Sequence, residues 1–395
     1  MPNKSIYTIL IHYSEIALKK NNRRFFENIF IQNIKIHLKN LKYEKIYLKA
    51  ARIFIYDIDI SEWMNFKRIL QNTMGLKNAT LMLECDTNID SLMVASKTII
   101  SKVDFKSYRI STKRHEKSLS FNSQDINVEV GEYIKNLTNK PVNLGFPDLN
   151  IIIELLKNKS YVGTDKINGY SGLPANCQEK ALSLISSGID SPVASFEMIK
   201  RGVDVDYIHF HSYPATSMQS IDNVKKILNV LSCYQLKSSL FLVPLLDIQQ
   251  SIMSEIPDKY WVIFFRRYMI KIANDLAIKN NAVALITGDS VGQVASQTLS
   301  NLRAISDISD LPILRPLSGY NKEDIVNKAK EIKTYEISIE PYQDCCSFFV
   351  PPHPETKAKM NQIDLLHEKL DLDKRYNKTL DNVEKHTINY EDNLI

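Results

Sequence analysis

The sequence predicts an α/β protein with an α+β N-terminal part and a doubly wound parallel sheet in its C-terminal part. Three observations carry this. From Lys180 onward, short apolar runs alternate with helical stretches, the pattern of βαβ units. Ahead of that region, one strand-like run leads into a helix and then into two further strand-like runs, a βαββ order. Between them, residues 165–178 collect Gly, Pro, Asn and Ser, the composition of a domain boundary.

In the N-terminal part, residues 5–13 read as a strand, 23–38 as a helix, and 45–49 and 52–58 as short strands. A helix over 62–73, an extended run at 79–83 and a helix over 91–101 follow. Residues 107–112 form the next strand, ahead of the basic loop Lys113-Arg114-His115-Glu116-Lys117. Helical periodicity covers 125–136, and 150–155 is an apolar strand. In the C-terminal part the strands are 181–185, 204–210, 240–243, 282–287 and 312–316. Pro244 closes the third, because it has no N–H for a ladder. A long helix spans 258–279, and the polar stretch from 359 reads as a helix and a loose tail. Ligands of such sheets sit beyond the carboxyl ends of the strands. Residues 186–190, His209-Phe210-His211 and Gly288-Asp289 all fall there.

Composition bounds the function. A chain of 395 residues has room for two or three domains. Its apolar content of 44% and charged content of 24% are those of a soluble protein, and no apolar run reaches membrane length. No membrane association is expected. Met-Pro-Asn-Lys-Ser at the start lacks a secretory cleavage pattern. Cys85, Cys177, Cys233, Cys345 and Cys346 are odd in number and without CxxC spacing, which supports neither a disulfide framework nor a structural zinc site and points to the cytoplasm. Residues 1–178 carry 26 Lys/Arg against 17 Asp/Glu, whereas 179–395 carry 24 against 28. A basic N-terminal half beside an acidic C-terminal half suggests a polyanion binder joined to a catalytic domain.

The most informative stretch is residues 181–191, Ala-Leu-Ser-Leu-Ile-Ser-Ser-Gly-Ile-Asp-Ser, followed by Pro192 at a helix start. A strand, a tight polar loop and a helix N-terminus together seat an oxyanion such as pyrophosphate, with Ser186, Gly188 and Ser191 around it. The loop resembles the PP-loop of ATP pyrophosphatases, which activate a carbonyl oxygen by adenylation. Ser187 stands where that motif has its first glycine, and a left-handed backbone there would cost Ser roughly 1 kcal/mol.

Further motifs extend the resemblance. They include His12-Tyr-Ser-Glu-Ile-Ala-Leu-Lys19 with Asn22-Arg23-Arg24-Phe25-Phe26-Glu27, and the Lys113–Lys117 loop with Val142-Asn143-Leu144 and Pro147-Asp148. Thr287-Gly-Asp-Ser-Val-Gly-Gln-Val-Ala-Ser-Gln-Thr298 and Asp344-Cys345-Cys346-Ser-Phe-Phe-Val-Pro-Pro-His-Pro complete the set. With them the chain is identified as resembling the tRNA 4-thiouridine synthetase family, sulfur-transfer enzymes also linked to the thiazole of thiamine. The resemblance implies a ferredoxin-like domain at 1–60, an RNA-binding THUMP domain at 61–166 and a PP-loop domain at 175–395. Ser14 and Lys20 replace glycines of the first motif.

The resemblance also implies roles. Leu184, Ile185, His209, Phe210, Arg266, Gly288 and Gln297 line an ATP site, with backbone groups of Leu184 and Ile185 recognising adenine, Arg266 or Arg267 balancing phosphate charge and Gly288 admitting a ligand close to the backbone. Asp190 is either a ligand for the Mg2+ that accompanies ATP or an orienting acid. Lys322 stabilises charge on the transferring phosphate. One of Cys345 and Cys346 handles sulfur, with Cys346 favoured, and the other cysteines are structural. Lys19, Arg23, Arg24, Lys113, Arg114 and Lys117 contact tRNA phosphates.

The implied reaction adenylates a tRNA uridine at O4 and then displaces AMP with persulfide sulfur. No cysteine follows Cys346 and no rhodanese domain fits after 359, so a cysteine desulfurase is expected to deliver persulfide directly. The family suggests a homodimer. The alternatives are another PP-loop tRNA-modifying ligase and an RNA-binding protein with a degenerate PP-loop, the latter supported by Ser187.

Overall fold

The computed structural model describes residues 6–101, 103–115, 121–341, 345 and 349–390. The chain divides into two compact units, Met1–Leu173 and Pro174–Ile395.

The N-terminal unit is built on one seven-stranded sheet. Its strands are β1 (Tyr7–Tyr13), β2 (Lys45–Lys49), β3 (Arg52–Ile58), β4 (Leu76–Asp86), β5 (Tyr108–Arg114), β6 (Leu149–Leu155) and β7 (Lys159–Asn168), in the order β2-β3-β1-β4-β7-β6-β5. Only β5 and β6 run parallel; the other neighbours are antiparallel. Helices α1 (Arg23–His37), α2 (Trp63–Gln71), α3 (Ile89–Ile100) and α4 (Ser123–Thr138) accompany the sheet. Helix α1 buries Phe26, Phe30 and Ile34 at i, i+4 and i+8, one apolar stripe. Helix α4 opens on a capping box between Asn122 and Asp125. The segments 1–60 and 61–166 share the sheet, since β1 lies between β3 and β4.

Strand β7 was not expected from the sequence. Gly163, Thr164 and Asp165 interrupt its alternation, and its end runs into the Gly/Asn/Ser-rich stretch read as a boundary. Gly163 is what lets β7 lie against β4, because a Cβ there would meet the Leu81 carbonyl oxygen at 2.1 Å. The two glycine replacements near the start separate cleanly. Ser14 has φ −115°, which any residue adopts. Lys20 has φ +42°, the half of backbone space that favours glycine, at a cost of about 1 kcal/mol.

The C-terminal unit holds strands β8 (Lys180–Leu184), β9 (Asp204–His211), β10 (Lys237–Pro244), β11 (Ala284–Ile286), β12 (Ile313–Leu314) and β13 (Glu384–Asn389), in the order β12-β11-β8-β9-β10-β13. The first five are parallel, and β13 is antiparallel to β10. Helices α5 (Asp190–Lys200), α6 (Gln219–Gln235), α7 (Leu246–Glu255), α8 (Trp261–Lys279), α9 (Leu299–Ser306), α10 (Lys322–Glu331), α11 (Tyr335–Ser338), α12 (Met360–His367) and α13 (Asp373–Asp381) complete the unit. Phe264, Phe265, Ile272 and Leu276 of α8 belong to one core with Leu182, Ile208 and Leu285 of the strands.

As far as residue 390 the stretch expected to be a loose tail is ordered. It forms α12, α13 and the edge strand β13, and Tyr376 donates to Asp275 of α8 at 2.7 Å. The sequence hides β13 because Glu384-Lys-His-Thr-Ile-Asn389 is mostly polar and half-exposed, as suits an edge that must not recruit another strand. Strands β8, β9 and β10 are laid down in one direction, and β11 then pairs on the far side of β8. The order therefore reverses between β8 and β11, and a crevice opens beyond their carboxyl ends. Among the described residues no helix is long and apolar enough to cross a membrane.

Candidate active site

A cavity of about 470 Å³ lies at this switch point. All ten residues expected at a nucleotide site line it: Leu184, Ile185, Ser186, Gly188, Ser191, His209, Phe210, Arg266, Gly288 and Gln297. Asp190, Thr287, Asp289, Gln293 and Cys345 share the lining. A larger hollow of about 800 Å³ in the N-terminal unit is edged by Asp57, Glu84, Asp86 and Asp90, a carboxylate set that repels phosphate.

The loop after β8 is held by its own hydroxyls. Ser186 N–H donates to Ser191 Oγ at 2.9 Å, Ser191 Oγ donates to the Ser186 carbonyl at 3.2 Å, and Gly188 N–H donates to Ser186 Oγ at 3.3 Å. Ser338 of α11 supports the loop by donating to the Gly188 carbonyl at 3.3 Å. Helix α5 starts without a side-chain cap, so its first-turn N–H groups and the positive end of its dipole face the loop. Ser187 is fully buried and is not among the residues with positive φ. Serine is accommodated there without left-handed strain, and the ground for reading a degenerate loop falls away.

Two expectations about backbone change. Ile185 was to recognise adenine, but its N–H already donates to the Ile208 carbonyl at 2.9 Å and its carbonyl accepts from His209 Nδ1 at 2.9 Å. One lone pair of that carbonyl remains for a ligand, and His209 braces the end of β8. Gly288 was to admit a ligand. What approaches it is the protein's own backbone, because a Cβ at Gly288 would meet Ser191 N at 2.7 Å and Ser191 Cα at 2.9 Å. Overpacking of this kind costs about 1–3 kcal/mol, and here it pushes directly on the loop. Gly288→Ala is expected to lower the stability of the C-terminal unit by about 1–3 kcal/mol, read by urea unfolding followed with a probe in that unit.

At the mouth, Lys322 Nζ lies 2.5 Å from Asp190 Oδ1, and Gln293 Nε2 donates to Asp190 Oδ2 at 2.9 Å. Lys322, at the start of α10, and Asp190, at the start of α5, are thus brought together from 132 residues apart. Asp190 is 21% exposed and Lys322 48%, so both reach solvent and any ligand. Of the arginine pair, Arg266 faces the cavity, whereas Arg267 is buried and donates to the Ala304 carbonyl.

Asp289 falls at a predicted strand end, but the sequence gives it no role at the site. It is nearly wholly buried and bonds Arg266, Gln297, Thr287 and Arg315. Burial raises the pKa of its carboxyl, but the charge of Arg266 and the other partners outweigh that and hold it below the usual carboxylate value. The available signal was a carboxylate one residue past a strand-end glycine. Cys345 is buried in the cavity wall, and its carbonyl accepts from Gln249 Nε2 at 2.8 Å. Cys346 and Lys117 lie outside the described residues. Burial pushes the Cys85 thiol up to about 12, in keeping with a structural role.

The expected phosphate contacts of the N-terminal unit divide by environment. Arg24 is exposed. Lys19 Nζ stands 5.0 Å above the Phe26 ring. Arg23 is committed to structure, with Nε 2.8 Å from Glu27 Oε1 and Nη2 donating to the Tyr13 hydroxyl at 2.5 Å. Arg114 donates to the Phe121 carbonyl at 3.1 Å. Lys113, 62% exposed, lies 3.8 Å from the buried Glu154 carboxylate. That carboxylate also meets His115, His12 at 3.4 Å and Arg52 at 3.4 Å. Burial alone would raise the Glu154 pKa; hydrogen bonds from His115 and His12 outweigh it and lower the value to about 2. The His12 and Lys113–His115 motifs, distant in sequence, thereby converge on one carboxylate of β6.

The family model described as thiamine biosynthesis protein (ThiI) matches residues 176–372, the ThiI ferredoxin-like domain matches 8–79, and the THUMP domain matches 86–165. A probable tRNA sulfurtransferase of Thermoanaerobacter sp. (strain X514) is 40% identical, over 96% of this chain and 98% of its own length.

The chain belongs to the tRNA sulfurtransferase family.

A second family member, the probable tRNA sulfurtransferase of Bacillus pumilus (strain SAFR-032), is 34% identical over 95% of this chain and 94% of its own. The crystal structure of a 4-thiouridine synthetase–RNA complex with bound ATP superposes with a TM-score of 0.88 at 33% identity, covering 97% of this chain and 100% of that one. PH1313 from Pyrococcus horikoshii, at 20% identity and a TM-score of 0.62 over 83% of this chain and 99% of its own, shares the fold.

Proposed function

We propose that this protein is an ATP-dependent tRNA sulfurtransferase that converts a uridine of tRNA to 4-thiouridine, releasing AMP and pyrophosphate. The single observation that carries the reading is the cavity at the switch point, where the hydroxyl-braced loop, Arg266, Gln297 and the Asp190–Lys322 pair meet. Support comes from the family relatives and from the similar synthetase whose structure holds ATP and RNA.

In this reading the start of α5 and its loop take the phosphate tail, and Arg266 offsets its charge. The O4 of uridine attacks the α-phosphorus and pyrophosphate departs. Lys322 stabilises charge on the transferring phosphoryl group. The outer sulfur of a persulfide then attacks C4 and displaces AMP, and a second thiol cleaves the S–S bond, leaving the thiocarbonyl on the base and a disulfide that an external thiol reduces. Asp190 fits a magnesium ion brought by ATP, because it is a single, solvent-reachable carboxylate, whereas Asp289 is fully engaged; Mg2+ suits one or two carboxylates plus phosphate oxygens and supplies charge neutralisation. The exposed cations of the N-terminal unit, Arg24 and Lys113 foremost, give tRNA affinity through phosphates. The ThiI description adds sulfur supply to thiamine biosynthesis as a second role.

Pyrophosphate exchange into ATP, assayed with and without unmodified tRNA, tests the adenylation step. Exchange that requires tRNA is expected; a pure RNA binder gives none. For the sulfur step we assign the persulfide to Cys346, received from a cysteine desulfurase, with Cys345 its neighbour in the cavity wall. Cys346→Ala is expected to keep exchange and lose persulfide-dependent thiolation. Full thiolation by Cys346→Ala together with its loss in Cys345→Ala would move the role to Cys345.

A further inference from the structure

Asp289 follows Gly288 at the end of β11 and lies almost wholly buried beside the cavity. Its oxygens are saturated. Oδ1 accepts from Arg266 Nη2 at 2.6 Å and from Gln297 Nε2 at 3.3 Å. Oδ2 accepts from Thr287 Oγ1 at 2.8 Å and from Arg315 Nε at 3.4 Å. A carboxylate offers about four acceptor positions, so none remains for a ligand.

The consequence falls on Gln297. An amide has a donor end and an acceptor end, and a carboxylate can take only the donor end. With Nε2 held by Asp289, Oε1 is turned the other way, and it is buried with no hydrogen-bond partner among the described residues. The main chain offers no relief, since Gln297 N–H donates to the Val294 carbonyl at 2.9 Å and its carbonyl accepts from Gly292 N–H at 3.0 Å. Arg266 is held in the same way, with Nη1 against Ser296 O and Oγ at 3.4 and 3.3 Å. A buried carbonyl without a donor costs about 1–3 kcal/mol, and this one belongs to a residue of the cavity wall.

We propose that Asp289 is a positioning residue that fixes the sense of the Gln297 amide, so that Oε1 is an acceptor reserved for an N–H or O–H donor on the nucleoside part of ATP. Phosphate oxygens are acceptors themselves, and a carbonyl oxygen disfavours them. The base and sugar offer two suitable sources, the 6-amino group and the ribose hydroxyls. The inference rests on the reading that ATP occupies this cavity.

The test is calorimetric titration of the full chain with ATP, purine riboside triphosphate (which lacks the 6-amino group), 2′-deoxy-ATP and 3′-deoxy-ATP. The wild-type protein is expected to bind one of these analogues roughly 10–100-fold more weakly than ATP. Gln297→Met, close in shape, should bind ATP as weakly as that analogue, so the ratio falls to about one. Asp289→Asn should collapse the same ratio although Gln297 is still present. A purely structural Asp289 would weaken every nucleotide alike and leave the ratio intact, and that result would overturn the proposal, as would equal binding of all four nucleotides by the wild type. Should Asp289→Asn fail to fold, a wild-type ratio retained in Gln297→Met overturns it as well. A wild-type protein that binds none of them removes the ATP reading itself, a separate and recognisable outcome.

Discussion

Replacing Glu154 with Gln is expected to destabilise the N-terminal unit by about 3–5 kcal/mol, the cost of breaking a buried ionic cluster. The carboxylate is fully buried and faces His12, Arg52, Lys113 and His115 from β1, β3, β5 and the residue after β5. Without its charge, Arg52 and Lys113 lose their counter-ion, and the His12 and His115 imidazoles lose a charged hydrogen-bond partner. The same carboxylate sets a pH dependence. Its pKa of about 2 in the folded chain lies below the ordinary value of 4.5, so the charged form favours the fold. That contribution is complete above roughly pH 5 and drains away as pH falls toward 2, about 3 kcal/mol in all. Urea unfolding between pH 7 and pH 2.5, followed by a probe in the N-terminal unit, reads both effects. The wild type should lose stability steeply below pH 4.5, and Glu154→Gln should begin lower and fall less. Equal midpoints at pH 7 would show that Glu154 holds nothing together.

Asp190→Asn is expected to slow tRNA-dependent pyrophosphate exchange about 100- to 1,000-fold, the range seen when one pre-placed charge partner of a transition state is removed. Asp190 holds Lys322 at 2.5 Å and Gln293 at 2.9 Å, so its loss frees a flexible lysine at the mouth of the cavity. Lys322→Ala should fall by a similar factor. Because the two residues act as a unit, the double variant should be little worse than the poorer single one. Multiplying losses would show that they work independently. Exchange within a few-fold of wild type for both single variants would remove the pair from the reaction.

Much of the C-terminal unit was legible because parallel strands are short apolar runs. The five parallel strands fall within a few residues of where the apolar runs place them, and their order brings Ser186, Gly188, Asp190, His209, Phe210, Gly288 and Asp289 of the predicted strand ends into one cavity. The edge strand β13 was not legible, since an edge that must avoid pairing carries charged and polar residues in place of alternation. Strand β7 was obscured by Gly163, which the close approach of β4 requires. At the site, residue types that coordinate phosphate could be read from spacing. The direction of an amide could not, because Asp289 and Gln297 owe their relation to hydrogen bonds that only the folded chain displays. Nor does the sequence show that Gly288 serves the loop's own backbone. Glu154 sits in an apolar run and gives no hint that the basic side chains it gathers come from three strands and the loop after β5.

In the proposed function, the switch-point cavity makes a tRNA uridine reactive toward sulfur. Mass analysis of nucleosides from unmodified tRNA, incubated with the protein, ATP, Mg2+ and a persulfide or sulfide source, tests it most directly. The expected product is a uridine heavier by the replacement of one oxygen with sulfur, formed only when ATP is present and about 100- to 1,000-fold more slowly with Asp190→Asn. Unaltered uridine with every sulfur donor, from a protein that still binds ATP and tRNA, would contradict the account.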